Sequence, residues 1–177
     1  MTLTNITAQN VAGTQLDKPL SEEQVHRAVL DILEANTLCA MSTVTPEALA
    51  HINTVYFSYS DELELYFLSH IRSTHCRNLA TNSSMAAAIY TPNQQWLGPD
   101  RGLQLFGTGI PAEEAEGHKA EESFAKRFPA YKSWKNTRSD QFNSEYRFYR
   151  FVVLRLKVLD EANLREALFV SAVVHRK

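Results

Sequence analysis

A short group of basic and hydroxyl residues in the middle of the chain has the composition of an anion-binding segment. Two arginines, two hydroxyl residues and a histidine occur close together, namely Arg72, Ser73, Thr74, His75 and Arg77. Guanidinium groups, hydroxyls and the free N–H groups at the start of a helix all favour an anion such as a phosphate. An ordinary capped helix with solvated arginines is the alternative, and the residues alone leave both interpretations open.

The elements around this group predict how it is positioned. Residues 62–69 and 84–90 alternate side chains in the manner of β-strands, and a short helix pattern lies between them. The group therefore lies where a strand ends and a helix begins. The first turn of such a helix has backbone N–H groups that no helical carbonyl accepts, so they are available to a ligand.

The remaining pattern predicts a mostly β protein with flanking helices. Ser21 and Gln24 have the spacing of a capping box at the start of an amphipathic helix. Further strands are expected at residues 38–44, 50–57, 102–110 and 146–159, with a final strand or packing segment within 164–174. Short strands joined by turns favour a closed or split barrel, and the chain has neither a GxGxxG nor a GxxxxGK[ST] motif for a nucleotide.

Composition sets limits on the kind of protein. A chain of 177 residues with 44% hydrophobic and 21% charged residues is typical of one globular domain, expected over residues 21–177 after a flexible leader at 1–20. A net charge of −2 without a basic run argues against nucleic-acid binding, and no apolar stretch is long enough to cross a membrane. The two cysteines, Cys39 and Cys76, form no disulfide pattern, which fits a cytoplasmic location.

Motifs for metal binding and for hydrolysis are not found in the sequence. The histidines at positions 51, 70, 75 and 118 have neither HxH nor HExxH spacing, so no metal site is expected. No G-x-S-x-G elbow supports a nucleophilic serine. We therefore assign no catalytic side chain from the sequence.

Taken in order, the elements resemble the FMN-binding split barrel of the pyridoxamine 5′-phosphate oxidase-like proteins. The resemblance covers roughly residues 22–113 and rests on the helix, the strand pair, the Arg-Ser-Thr-His-Cys-Arg-Asn-Leu segment at 72–79, Asn82 and the glycine-containing strand at 101–109. It implies a six-stranded antiparallel split β-barrel. It also implies a homodimer with flavins in grooves between the subunits, and the aromatic-rich residues 146–151 are the expected pairing face.

The resemblance implies a role for the anion-binding group. Arg72, Ser73 and Thr74 would hold the FMN phosphate, and Arg77 would reinforce the charge one helical turn on. His75 stands where the family commonly has a lysine. A histidine is a weaker and pH-dependent cation, so the same fold with haem or a deazaflavin stays an alternative to FMN.

The resemblance also places residues beside the flavin ring. Backbone groups of the second strand would meet its polar edge, at Asn53, Thr54, Val55 and Tyr56. Gln104 matches a position where the family has a polar side chain near the ring or the phosphate, and Trp96 is a candidate to cover the ring from a neighbouring subunit. A plain β-ladder, a solvated glutamine and an interface tryptophan are the respective alternatives.

The function implied is that of an FMN-dependent oxidoreductase acting on a small molecule. The alternatives are a flavin- or haem-binding protein without turnover and a cofactor-free dimeric interaction module. The oxidase binds its phosphorylated substrate with an Arg followed closely by a Pro, and residues 172–177 have no Pro, so oxidation of vitamin B6 is not expected. The substrate, the electron donor and the role of residues 131–142 (lid, interface or plain surface) are left open.

Overall fold

Ten strands and six helices make up the computed structural model, which describes residues 1–164 and 167–176. The strands are β1 (Thr2–Gln9), β2 (Gln15–Leu16), β3 (Leu38–Val44), β4 (Ala50–Tyr56), β5 (Ser58–Tyr59), β6 (Glu64–His70), β7 (Ser84–Tyr90), β8 (Arg101–Pro111), β9 (Tyr146–Asp160) and β10 (Phe169–His175). The helices are α1 (Glu22–Ala35), α2 (Thr74–Thr81), α3 (Glu114–Arg127), α4 (Ala130–Asn136), α5 (Asp140–Ser144) and α6 (Glu161–Leu164).

The strands form one antiparallel sheet that does not close. Neighbouring strands follow the order β2-β1-β10-β9-β8-β7-β3-β4, and β6 joins the sheet through β9. The first half of β9 pairs with β6 and the second half with β10, while β8 lies along its other edge. Strands β4, β3, β7, β8, β9 and β6 thus form the expected split barrel, which is confirmed, and the split lies between β4 and β6. Strand β10 lies in the segment predicted as a final strand or packing segment, whereas β1, β2 and β5 were not predicted.

The N-terminal segment differs from the flexible leader that the sequence predicted. Thr2–Gln9 pairs with β10, and Leu3 and Ala8 are buried. The Leu3 N–H also donates to a carboxylate oxygen of Glu22 at 2.7 Å. A strand rich in threonine with one isoleucine suits the half-exposed edge of a sheet, but its polarity resembles that of a loose segment.

Helix α1 confirms the capping and periodicity predictions. The Ser21 hydroxyl accepts from the Gln24 N–H at 3.2 Å, and the Gln24 side chain accepts from the Ser21 N–H at 2.9 Å. Its apolar face packs into the main core, with Val25, Val29 and Leu33 fully buried. None of the helices in the described residues is both long and apolar enough to span a membrane.

A second, smaller core lies outside the barrel and changes the expected pairing face. Helices α3 and α4 cover Tyr66 and Phe148 with an aromatic cluster. Phe148 is buried in this cluster, and Tyr149 and Phe151 are buried in the main core, so these residues of β9 give no exposed apolar face. Exposed apolar side chains lie instead on β3, β4, β7, β8 and the second half of β9, namely Leu38, Ile52, Tyr56, Tyr90, Phe106 and Leu154.

Candidate functional site

An open cavity of about 640 Å³ lies at the split of the barrel. One side is formed by the β4 residues that the sequence predicted beside a flavin ring: Asn53, Thr54, Val55 and Tyr56. Within the described residues β4 is the last strand of the sheet, so the backbone groups along its outer edge have no strand partner. This edge can therefore donate and accept hydrogen bonds with a bound molecule.

The second side of the cavity is aromatic and is formed by α3, α4 and β9. Its rings, called the aromatic side below, are those of Phe124, Phe128, Tyr131, Trp134 and Tyr146. The rings of Phe124 and Phe128 lie 4.5 Å apart, and the Tyr56 ring of β4 meets Phe128 edge-on at 5.6 Å. The aromatic side thus reaches across to β4 and bounds the cavity.

A hydrogen-bonded group of two serines and a histidine joins the cavity to the start of α2. The Nε2 atom of His75 lies 2.6 Å from the Ser69 hydroxyl and 3.0 Å from the Ser73 hydroxyl. Ser73 is the N-cap of α2, and its Oγ also accepts from the Cys76 N–H at 3.4 Å. Burial lowers the pKa of His75, and the nearby His51 lowers it further. His75 is therefore neutral at pH 7 and contributes hydrogen bonds rather than a fixed charge.

The remaining residues of the anion-binding group are not among those that line the cavity. Arg72, Thr74 and Arg77 are exposed, and Thr74 is the first residue of α2. The Arg72 guanidinium donates to Glu145 at 2.9 Å, and the same carboxylate lies 3.4 Å from His70 Nε2. Because His70 lines the cavity, Arg72 is held beside the entrance but next to a negative charge.

Two predicted residues lie elsewhere in the chain. Gln104 is exposed on β8 opposite Ala88 and Lys157, in a separate depression of about 250 Å³. Trp96 is 92% exposed in the loop between β7 and β8. Neither side chain lines the cavity of its own subunit.

One buried atom on the β4 side suits a ligand with an N–H group. The side-chain oxygen of Asn53 is buried without a hydrogen-bond partner among the described residues. A buried acceptor left unpaired costs free energy, of the order of 1–3 kcal/mol. The ring of a flavin carries an N–H donor on its polar edge, so the residues present fit a flavin at this position.

The sequence analysis did not predict that most residues of the aromatic side belong to the site. Phe124 and Phe128 were assigned to an apolar stripe that ends at Pro129, and the following residues were left open. The available signal was that aromatic residues recur every three or four positions from 124 to 134, across the proline. Pro129 does not break this face because it starts α4 as its N-cap.

Among the described residues, no three His, Cys, Asp or Glu side chains form a metal-binding group.

Comparisons with known proteins agree with this fold. Residues 25–162 match the family model for pyridoxamine 5′-phosphate oxidase. A haem-binding protein from Mycobacterium smegmatis is 17% identical, with a TM-score of 0.65 over 81% of this chain and 55% of that one. No curated protein matches the sequence.

Two further solved structures cover nearly all of their own chains. A protein from Clostridium acetobutylicum related to general stress protein 26, of the pyridoxinephosphate oxidase family, is 10% identical, with a TM-score of 0.62 over 87% of this chain and 97% of that one. An F420 reductase is 17% identical, with a TM-score of 0.51 over 71% and 93%. At such identities the structures show a common fold.

Proposed function

The chain belongs to the pyridoxamine 5′-phosphate oxidase family, and on that premise we propose that it binds FMN at the split of the barrel and acts as an oxidoreductase on a small molecule. One observation carries the proposal. A single cavity brings the free edge of β4 together with His75 at the start of α2. These two elements suit the two ends of FMN, a ring with a polar edge and a phosphate.

The residues of the chain divide between these two ends. Backbone groups of residues 53–56 and the unpaired Asn53 oxygen would meet the polar edge of the ring. At the other end, the Ser73 hydroxyl, the first N–H groups of α2 and the Arg72 guanidinium would hold the phosphate. Thr74 and Arg77 are exposed on the same helix and extend this region toward solvent.

When bound, FMN supplies the hydride or electron transfer, and the protein supplies position, electrostatics and exclusion of water. The buried rings of Phe124 and Tyr131 keep water from one side of the cavity. We expect no catalytic dyad of side chains.

We propose that the protein is a homodimer paired through the exposed apolar residues of β3, β4, β7 and β8. Gln104 and Phe106 lie two positions apart on β8 and so share this face. Pairing through it would bring Gln104 toward the second subunit. Gln104 would then lie near the FMN of the second subunit, although it does not line the cavity of its own chain.

Haem is the second candidate ligand, since His70 and His75 both line the cavity and imidazole is a common haem ligand. Both side chains are already engaged. His75 Nε2 contacts two serines, and His70 accepts from the Arg72 N–H through Nδ1. An iron ligand at either position would have to give up these contacts, which favours the flavin.

The visible absorption spectrum of the purified protein, before and after addition of FMN or haem, tests the proposal. We expect flavin bands and saturable FMN binding, which the double variant Arg72→Ala with Ser73→Ala should weaken at least tenfold. Arg27→Ala is the matched control, because Arg27 is as exposed as Arg72 and also pairs with a glutamate, on α1. Unchanged FMN affinity in the double variant would refute the phosphate assignment, and a Soret band would replace FMN by haem. Reduction of bound FMN by NADH or NADPH then separates an enzyme from a carrier.

A further inference from the structure

The aromatic side of the cavity has a chemistry that the proposed FMN contacts do not use. FMN is assigned to β4 and to the start of α2, whereas the aromatic side belongs to α3, α4 and β9. We propose that the aromatic side binds the substrate and that this substrate is an uncharged, planar aromatic molecule. The inference rests on the proposed function, because it places the substrate in the same cavity as the flavin.

The rings of the aromatic side are held in place before any ligand binds. Trp134 lies 6.2 Å from the Tyr131 ring and 6.0 Å from the Tyr146 ring, and Tyr131 packs edge-on against Phe124 at 5.4 Å. Each ring is thus fixed by another, and Phe124 and Tyr131 also belong to the second core. A preformed aromatic wall binds a flat apolar ring with little loss of conformational entropy.

The cavity offers no fixed charge to a ligand. Its lining residues in the described chain include no lysine, arginine, aspartate or glutamate. Three charged groups close to the aromatic side are engaged with one another or with the backbone. Lys135 and the Tyr131 hydroxyl both bind Glu121, and Arg127 donates to the carbonyls of Leu33 and Asn36.

One further cation, Arg138, packs against the aromatic side but does not line the cavity. The Arg138 guanidinium stacks over the Trp134 ring at 5.5 Å and over the Phe142 ring at 5.1 Å. It occupies one face of the tryptophan and is not among the residues that line the cavity. The part of Trp134 that lines the cavity is therefore available to an uncharged ring.

This distribution of charge selects against anionic substrates. A phosphate or carboxylate placed against the aromatic side would lose hydration without gaining an ionic partner there. A neutral ring gains the burial of apolar surface and the ring contacts. The Thr54 hydroxyl at the edge of the cavity can orient one polar substituent.

The test compares two ligands that share a ring system and differ in charge. 2-Naphthol is neutral at pH 7 and naphthalene-2-sulfonate is an anion, and each is titrated calorimetrically into the FMN-loaded protein. We expect 2-naphthol to bind about tenfold tighter or more. Equal affinity, or tighter binding of the sulfonate, would overturn the inference. The visible spectrum of the same sample reports whether FMN is bound, and the titrations are repeated on the protein as purified if it is not. A failure of FMN binding is thereby distinguished from a failure of substrate selection.

Substitutions locate the ligand. Trp134→Ala should weaken 2-naphthol binding about three- to tenfold, and Trp134→Phe should largely restore it. Phe169→Ala, which removes a partly exposed ring from the distant β10, is the control and should have no effect. If Trp134→Ala binds 2-naphthol as the unaltered protein does, the ligand lies elsewhere and the inference fails.

A substitution that adds a charge at the edge of the cavity tests the inference without removing a ring from the aromatic side. Ala130 lines the cavity and is exposed at the start of α4, so a lysine fits there without disturbing the core. Ala130→Lys should raise the affinity for naphthalene-2-sulfonate several-fold and leave that for 2-naphthol nearly unchanged. If the sulfonate gains nothing from the added cation, the anion does not reach this cavity and the charge argument is overturned.

Discussion

Two arginine–carboxylate pairs in this molecule have similar bond lengths and different surroundings. Arg101 binds Asp160 with two hydrogen bonds of 3.0 Å, and Asp160 is fully buried. Arg72 binds Glu145 with one bond of 2.9 Å, and the Arg72 side chain is 71% exposed. The distance between the charges therefore does not distinguish the two pairs, whereas burial does.

Burial assigns the two pairs to different tasks. Both Asp160 oxygens also accept from Asn163, at 3.1 Å and 2.7 Å, so the carboxylate is fully engaged where β8 begins and β9 ends. That pair has no capacity left for a ligand and holds the sheet together. Most of the Arg72 guanidinium faces water, so it can exchange or share its carboxylate with an incoming phosphate at little cost.

The largest effect that this comparison predicts is on stability. Asp160→Ala leaves a partly buried guanidinium and two Asn163 donors without their acceptor, so we expect a loss of about 3–5 kcal/mol in the free energy of unfolding. Urea denaturation followed by circular dichroism measures this loss. Glu23→Ala, which breaks an exposed pair with Arg27, should cost under about 0.5 kcal/mol. A similar small cost for both variants would remove the distinction between the pairs.

The second effect concerns Arg72, where we expect a change in FMN affinity and almost none in stability. Arg72→Ala should change the free energy of unfolding by less than about 0.5 kcal/mol and weaken FMN binding about tenfold, since a charged hydrogen bond to phosphate is lost. Denaturation and FMN titration of the same preparation give both numbers. A variant that is destabilised yet binds FMN normally would make Arg72 a structural residue.

The sequence predicted those parts of the site that depend on local pattern. The capping box at Ser21, the junction of strand and helix at residues 72–77 and the strand at residues 53–56 follow from neighbouring residues, so one sequence suffices. The aromatic side depends on how α4 packs against β9 after Pro129, which is a long-range contact that periodicity does not report.

The sequence did not predict the tertiary partners of individual residues, for the same reason. Arg72 was predicted at the phosphate, but its neighbour Glu145 lies 73 positions further along the chain. The N-terminal strand β1 gains its structure only from pairing with β10, at the other end of the chain. Local residue patterns therefore predict which side chains are present at the site, and tertiary contacts decide what charge they present.

Glu145 provides a smaller effect of opposite sign. Glu145→Gln removes a negative charge from beside the proposed phosphate and leaves Arg72 without an ionic partner, so FMN should bind a few-fold tighter. The FMN titration is the measurement. Glu113→Gln is the control, since Glu113 also pairs with an arginine, Arg147, and is more exposed than Glu145. Weaker binding in Glu145→Gln alone would mean that the carboxylate positions Arg72 for the ligand.

The smallest expected effect concerns the pH dependence of FMN binding. Burial lowers the pKa of His75, so the side chain is neutral at pH 7. It gains a positive charge only at a pH below the ordinary pKa of a histidine. A bound phosphate favours that charge. The ratio of the FMN dissociation constant of His75→Gln to that of the unaltered protein should therefore rise a few-fold as the pH falls from about 8 to about 5.5. Protonation of the phosphate itself affects both proteins and cancels in the ratio.

The same titration has a consequence for the protein without ligand, and the two signs together test the assignment. Because the folded state disfavours charged His75, the free energy of unfolding should fall as the pH drops from the unfolded pKa through the lower folded pKa, and His75→Gln should lack this loss. His118→Gln, at an exposed position of α3, is the control for both measurements. A ratio of dissociation constants that stays constant with pH would place the phosphate away from His75, and the exposed Arg72 would then be the main cation at the site.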